Sequence, residues 1–209
     1  VSRRSSVYAR NVVAASQPLA AQAGVQILRN GGNAVDAAIA TAITLTVVEP
    51  TMNGIGSDAF VIVSDDHGIH GFNGSGRSPA AWTPERFSSR DSMPEHGWDT
   101  VTVPGAVDTW VQLSDRFGQL PFEKLFDSAI NYAAEGFAVS PIVASGWTRA
   151  ADEYSYLEGF RTIFMPNGRA PTAGETFQSE IMANTLSEIA DSRGESFYRG
   201  RLASRIVAD

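Results

Sequence analysis

GGNAVDAAIATAITLTVVEP, residues 31–50, decides how the rest of the chain is read. Asn33 is suited to cap a helix that opens at Ala34, and Pro50 closes it because proline cannot continue a helical ladder. The alanines and threonines between them let neighbouring elements approach closely on more than one side. That pattern predicts a central and largely buried helix.

The segments on either side follow from it. Upstream, PLAAQAGVQILRNGG places Pro18 in a first helical turn and repeats Leu19, Ala23, Ile27 and Leu28 at helical spacing, with Gly31 and Gly32 as the stop. Before it, NVVAASQ (residues 11–17) is β-branched and apolar and predicts a buried strand. Downstream, VVEPTMNGIGSDAF (residues 47–60) passes through Gly54, Gly56 and Ser57 to Asp58. AFVIVSDD (59–66) and GIHGFNG (68–74) then predict a β-hairpin around a polar turn.

From residue 83 the reading is helical. TPER (83–86) predicts a capped helical turn, and Ser88 to Asp99 a polar loop. VPGAVDTWVQLSDRFG carries Val107, Trp110, Val111 and Leu113 on a helical repeat that ends at Gly118, and LPFEKLFDSAINYAAEGF repeats the pattern through Leu125, Phe126, Ala129, Ile130 and Ala133. Further helices are expected around residues 140–152, in FQSEIMANTLSEIADSR and in YRGRLASRIVAD, with an irregular loop over 165–175. The fold class is α/β in the α+β sense, with a helix-rich second half. No repeat, low-complexity tract or linker divides the chain, so residues 1–209 read as a single domain portion. The last helix runs to Asp209 without a stop signal, which reads as part of something longer.

Composition excludes several chemistries. A formal charge of -7 with 16 scattered basic residues argues against nucleic acid as partner, since phosphate binding needs a concentrated basic face. There is no cysteine, so disulfides, thiolate catalysis and thiolate metal sites are out. No apolar run has the length of a membrane span. VSRRSSVYAR has charges without a following apolar run of signal-peptide length, and the compartment stays open. His67, His70 and His96 read as surface residues, because a spacing of three suits joint metal ligation on a helix better than across a hairpin turn. GSGR at 74–77 misses the G-x-S-x-G elbow, and NGIGSD at 53–58 lacks the third glycine of a dinucleotide fingerprint and precedes a strand. Local motifs therefore yield no catalytic residue. Arg77, in FNGSGRSPAAW, is the candidate binding residue: small neighbours leave its guanidinium free, and a planar fork suits bidentate capture of a carboxylate. The ordinary alternative is a solvated loop arginine.

SQPLA (16–20), GGNAVDAAIA (31–40), VVEP (47–50), GIG (54–56), GRSPAA (76–81), VPGAVDTW (103–110), RFG (116–118) and LPFEKLF (120–126) occur in one order. From about Asn11 onward the chain resembles the N-terminal segment of γ-glutamyltransferases, also called γ-glutamyltranspeptidases, and of related acylases. The resemblance implies an N-terminal nucleophile hydrolase, an αββα sandwich made by two polypeptides cut from one precursor. It implies acyl transfer from, or hydrolysis of, γ-glutamyl amides such as glutathione. A threonine at the new N-terminus of the second polypeptide attacks the amide, with its own α-amino group as base. No cofactor and no metal are implied.

No threonine here lies in the family's processing context. The nucleophile and the oxyanion donors are therefore expected in a missing C-terminal, small-subunit part, and this chain alone is expected to be inactive. The one residue carried over is Arg77, whose family counterpart holds the α-carboxylate of the γ-glutamyl group; here Ser78-Pro79 follows where the family has Ala-Pro. Typical members also continue GIG with further glycines where this chain has Ser57-Asp58-Ala59. Asp58 is open to binding the substrate amino group, reshaping the pocket or capping a turn. A related acylase with another acyl donor, and a non-catalytic relative that binds a small acid, both remain open at this stage.

Overall fold

The computed structural model describes residues 6–208. Its first unit is a helical hairpin, α1 (Pro18–Arg29) against α2 (Ala34–Val48). The Gln17 side-chain oxygen accepts from the Leu19 and Ala20 amides and so closes the N-terminus of α1. At the start of α2, Asn33 Oδ1 accepts from the Val35 and Asp36 amides at 2.9 and 3.0 Å, and Asp36 Oδ2 accepts from the Asn33 amide at 3.0 Å. This is a reciprocal capping box. Asp36 is nonetheless 0% exposed, because its carboxylate also accepts from the Gln119 amide at 3.1 Å and the Leu120 amide at 3.2 Å. Asn33 Nδ2 adds a bond to Phe117 O at 2.6 Å. A local cap thus clasps a loop more than eighty residues away in sequence.

The central position expected for α2 is realised. Ile39, Ile43, Val47 and Val48 are buried, and the helix touches α1, α4 (Ala106–Phe117), α5 (Asp127–Glu135) and the 3-10 turn Phe122–Phe126. The buried hydroxyls of Thr41, Thr44 and Thr46 donate to the carbonyls of Ala37, Ala40 and Ile43, each at 2.7 Å, so threonine is tolerated in the interior of this helix.

The hairpin also forms as expected, β1 (Ala59–Asp65) antiparallel to β2 (Gly68–Gly74) with Val61 opposite Phe72 and Val63 opposite His70. One face, with Val61, Val63 and Phe72, packs on the core. The other carries Phe60, Ile62 and Ile69, which are 70%, 79% and 78% exposed.

Several expectations are corrected. NVVAASQ forms no strand: residues 12–15 take no regular structure and join no ladder among the described residues. The turn α3 (Pro84–Phe87) forms, but the Thr83 side chain caps nothing. LPFEKLFDSAINYAAEGF is not one helix. The Phe122–Phe126 turn is tighter and buries Phe122, Leu125 and Phe126 together, its two rings 5.0 Å apart, before α5 begins at Asp127. After α6 (Pro141–Tyr154) comes an unforeseen helix, α7 (Glu158–Phe164), anchored by a bond from Trp147 Nε1 to Phe164 O at 2.9 Å. Phe137–Ala138 (β3) and Thr176–Phe177 (β4) form a two-residue ladder, and Ser179 caps α8 (Glu180–Asp191). The final segment divides at Gly200 into α9 (Glu195–Arg199) and α10 (Arg201–Ala208); Asp209 lies outside the described residues. Among the described residues, no helix is long and apolar enough to cross a membrane.

The irregular loop before β4 is ordered by Glu175, which accepts from the Thr172 amide at 2.9 Å and from Arg169 at 2.9 Å. The Thr172 amide, with Arg169 second, lowers its pKa to about 2 against the ordinary 4.5. A depressed carboxylate stabilises the fold fully above its unfolded pKa and loses that contribution as pH falls through the folded value. Glu175→Gln should therefore lower the melting temperature at neutral pH, with the difference from the parent shrinking between pH 4.5 and about 2 in paired thermal melts. Asp36→Ala should lower stability by about 3 kcal/mol or more, because buried amides of two segments lose a charged acceptor; denaturant titration measures it.

Candidate functional site

The turn after α2 leads into the site. Ser57 closes it, with its amide donating to Gly54 O at 3.1 Å and its hydroxyl bonding the same carbonyl. Asp58 is exposed at the head of β1 and is not the residue that caps this turn. Ser57 O then accepts from the Gly105 and Ala106 amides at 3.2 and 2.9 Å, which supplies a carbonyl to the N-terminus of α4. The GIG segment is thereby joined to VPGA.

GRSP reaches the same place from the end of β2. The Val103 amide donates to Arg77 O at 2.9 Å, and the Thr102 hydroxyl donates to Ser75 O at 3.3 Å. The two segments lie too close for side chains between them: a Cβ on Gly105 would fall 2.0 Å from Gly74 O, and one on Gly76, whose φ is +70°, would fall 1.9 Å from Val103 O. Both glycines are demanded by backbone contact, and Gly76 by its φ as well.

Asn73–Arg77, Val103–Gly105, the first turns of α4 and the start of α9 enclose an open cleft of ≈ 700 Å³. Three arginines line it. Arg193 pairs with Asp115 and lies over the Phe122 ring at 5.2 Å, and Arg199 pairs with Glu195 at 2.9 Å. Arg77 is exposed at the edge of the cleft and has no acidic partner among the described residues. A permanently charged fork without a partner is available to a carboxylate from outside the chain.

The histidines lie elsewhere. His70 sits between Asp65 and Arg116, with Nε2 3.2 Å from Asp65 Oδ1 and Nδ1 3.0 Å from the Arg116 guanidinium. Arginine only donates, so Nδ1 accepts and Nε2 carries the proton given to Asp65. His96 Nε2 lies 2.9 Å from Glu153. Among the described residues, no group of three or more His, Asp or Glu side chains is placed to hold a metal ion.

Residues 20–209 match the family described as gamma-glutamyltranspeptidase. The chain belongs to the gamma-glutamyltranspeptidase family. It is 49% identical to a cephalosporin acylase from Bacillus halodurans whose crystal structure superimposes with a TM-score of 0.94, covering 100% of this chain and 41% of that one. It is 35% identical to the glutathione hydrolase-like YwrD proenzyme of Bacillus subtilis (strain 168), over 98% of this chain and 40% of the relative. It is 34% identical to the oxamate amidohydrolase proenzyme of Klebsiella pneumoniae, over 97% and 40%. The chain thus spans about two fifths of the length of these relatives. Its helix-rich α+β fold is the corresponding portion of the N-terminal nucleophile hydrolases in this family.

Two of the segments that carry the family resemblance, GRSP and VPGA, line one cleft, and the turn after GIG is bonded to VPGA through Ser57 O. The sequence singles out Arg77 as a candidate but not the backbone that supports it. By sequence VPGA marks the start of a helix, and only the paired positions of Pro104 and Gly105 hint at a backbone junction. Tyr198, which reaches the same junction from α9, has no local signal at all.

Proposed function

We propose that this chain is the large-subunit part of an N-terminal nucleophile amidase that hydrolyses γ-glutamyl amides, glutathione among them, or transfers their acyl group. Residues 1–209 form one portion of its domain, and the nucleophile is a threonine outside this chain. The observation that carries the reading is the Arg77 guanidinium, without an acidic partner among the described residues, at a cleft lined by the GRSP and VPGA segments. Bidentate binding of the substrate carboxylate sets the scissile amide at a fixed number of bonds from the anchor, which turns attack by the threonine hydroxyl into an oriented step. The threonine amine takes the hydroxyl proton, the leaving amine is protonated as the C–N bond breaks, and water or a second amine releases the acyl group.

Two surfaces support a second polypeptide as partner. The outer face of the β1–β2 hairpin exposes Phe60, Ile62 and Ile69 opposite the face that rests on helices, and the apolar residues 12–15 join no strand ladder among the described residues. A second sheet would bury the first and a neighbouring strand would pair the second, as an αββα sandwich requires.

A second reading, a related acylase whose acyl donor has a carboxylate but no α-amino group, is favoured by one pair of observations. Ser57-Asp58 departs from the glycine-rich pattern, and the 49% identity is to a cephalosporin acylase. The full-length, self-cleaved protein should release nitroaniline from γ-glutamyl or glutaryl p-nitroanilide, and preference between the two separates the readings. Silence towards both from a well-folded, self-cleaved sample rejects the enzymatic proposal. Arg77→Ala should raise KM by roughly 10- to 100-fold, the loss of about 1.5–3 kcal/mol of charged hydrogen bonding, in steady-state assays of the better substrate.

A further inference from the structure

The Tyr198 hydroxyl donates to Pro104 O at 2.7 Å and accepts from the Asp108 amide at 2.9 Å. The Asp108 amide lies in the first turn of α4, where no preceding helical carbonyl is available to it. The two partners flank Gly105, the residue packed against Gly74 O, and Val103 next to Pro104 is bonded to Arg77 O. One hydroxyl therefore grips the backbone strip that holds the Arg77 loop.

The grip itself is well anchored. Gly194, at the N-terminus of α9 with φ +79°, brings that helix against α4, where a Cβ would meet Val107 at 3.2 Å and Val111 at 3.5 Å. Ser196 and Arg201 both donate to Glu188 of α8, which fixes α9 from behind. Burial raises the pKa of Tyr198 above the usual 10, against the opposing bond from Asp108, so the phenol keeps the proton it donates at neutral pH.

We propose that Tyr198 is a positioning residue for carboxylate recognition: by bridging Pro104 O and the Asp108 amide, it locks the Val103–Gly105 strip and with it the Arg77 loop. The proposal rests on the reading of Arg77 as the residue that binds the substrate carboxylate. It assigns part of substrate affinity to α9, which touches the cleft but offers no charged group free to take the anion.

The test uses the full-length, self-cleaved enzyme and the better of the two p-nitroanilides. Tyr198→Phe removes only the hydroxyl and should raise KM about five- to tenfold, with kcat within about twofold. In an Arg77→Ala background the same change should add little, because both act through one anchor. Gly76→Ala, which displaces the loop from the other side and leaves Tyr198 intact, should also raise KM selectively. An unchanged KM in Tyr198→Phe or in Gly76→Ala, or a Tyr198→Phe effect of equal size in both backgrounds, overturns the positioning role and leaves Arg77's intact. An Arg77→Ala enzyme with the parent's KM overturns both readings together.

Discussion

The buried carboxylate of Asp36 is the constraint on which the arrangement depends. It completes the capping box of α2, and the same oxygens receive the amides of Gln119 and Leu120. A fully desolvated carboxylate is tolerable only when its lone pairs are met, and here backbone donors from two segments meet them. Neither segment can move without leaving a charge unsatisfied. The start of the central helix and the end of α4 are therefore held in one place by electrostatics, before the apolar packing of Ile39, Ile43 and Trp110 contributes.

That constraint is carried to the cleft by α4. The helix has 12 residues, about 18 Å from end to end. Its C-terminal end is held at Asn33 and Asp36, and its N-terminal end receives Ser57 O and the Tyr198 hydroxyl. The strip just before it, Val103–Gly105, runs close enough to Gly74–Arg77 that only glycine fits at Gly76 and Gly105. The Arg77 carbonyl is bonded to that strip through the Val103 amide, so the backbone of Arg77 is tied to the N-terminal end of a rigid rod, as the proposed role in holding an anion requires.

The β-hairpin shows the opposite condition. Its inner face is buried on helices, while Phe60, Ile62 and Ile69 face outward without cover. A two-stranded ribbon with one bare apolar face is a marginal structure by itself. The chain covers about two fifths of its relatives' length, and the second sheet of the proposed sandwich would cover the bare face.

What the sequence determined by itself is what local interactions determine. Asn33 with Asp36, Pro18, Ser179 and the apolar repeats of α1, α4 and α8 specify helices through neighbours within a turn or two, and the alternation around residues 59–74 specifies a hairpin. Arg77 stands out as a candidate because an arginine among small residues is a local pattern. The misreadings share one cause. NVVAASQ has strand composition but needs a neighbour to become a strand, and LPFEKLF has helical spacing but yields to the joint burial of Phe122 and Phe126. Tertiary structure alone decided that Asp36 would serve a distant loop as well as its own helix. It alone decided that Ser57, not Asp58, would close the turn and cap α4, and that Tyr198 would brace the backbone beneath Arg77. These contacts join residues far apart in the chain, and their free energy comes from desolvated polar groups finding partners that no short window of sequence contains.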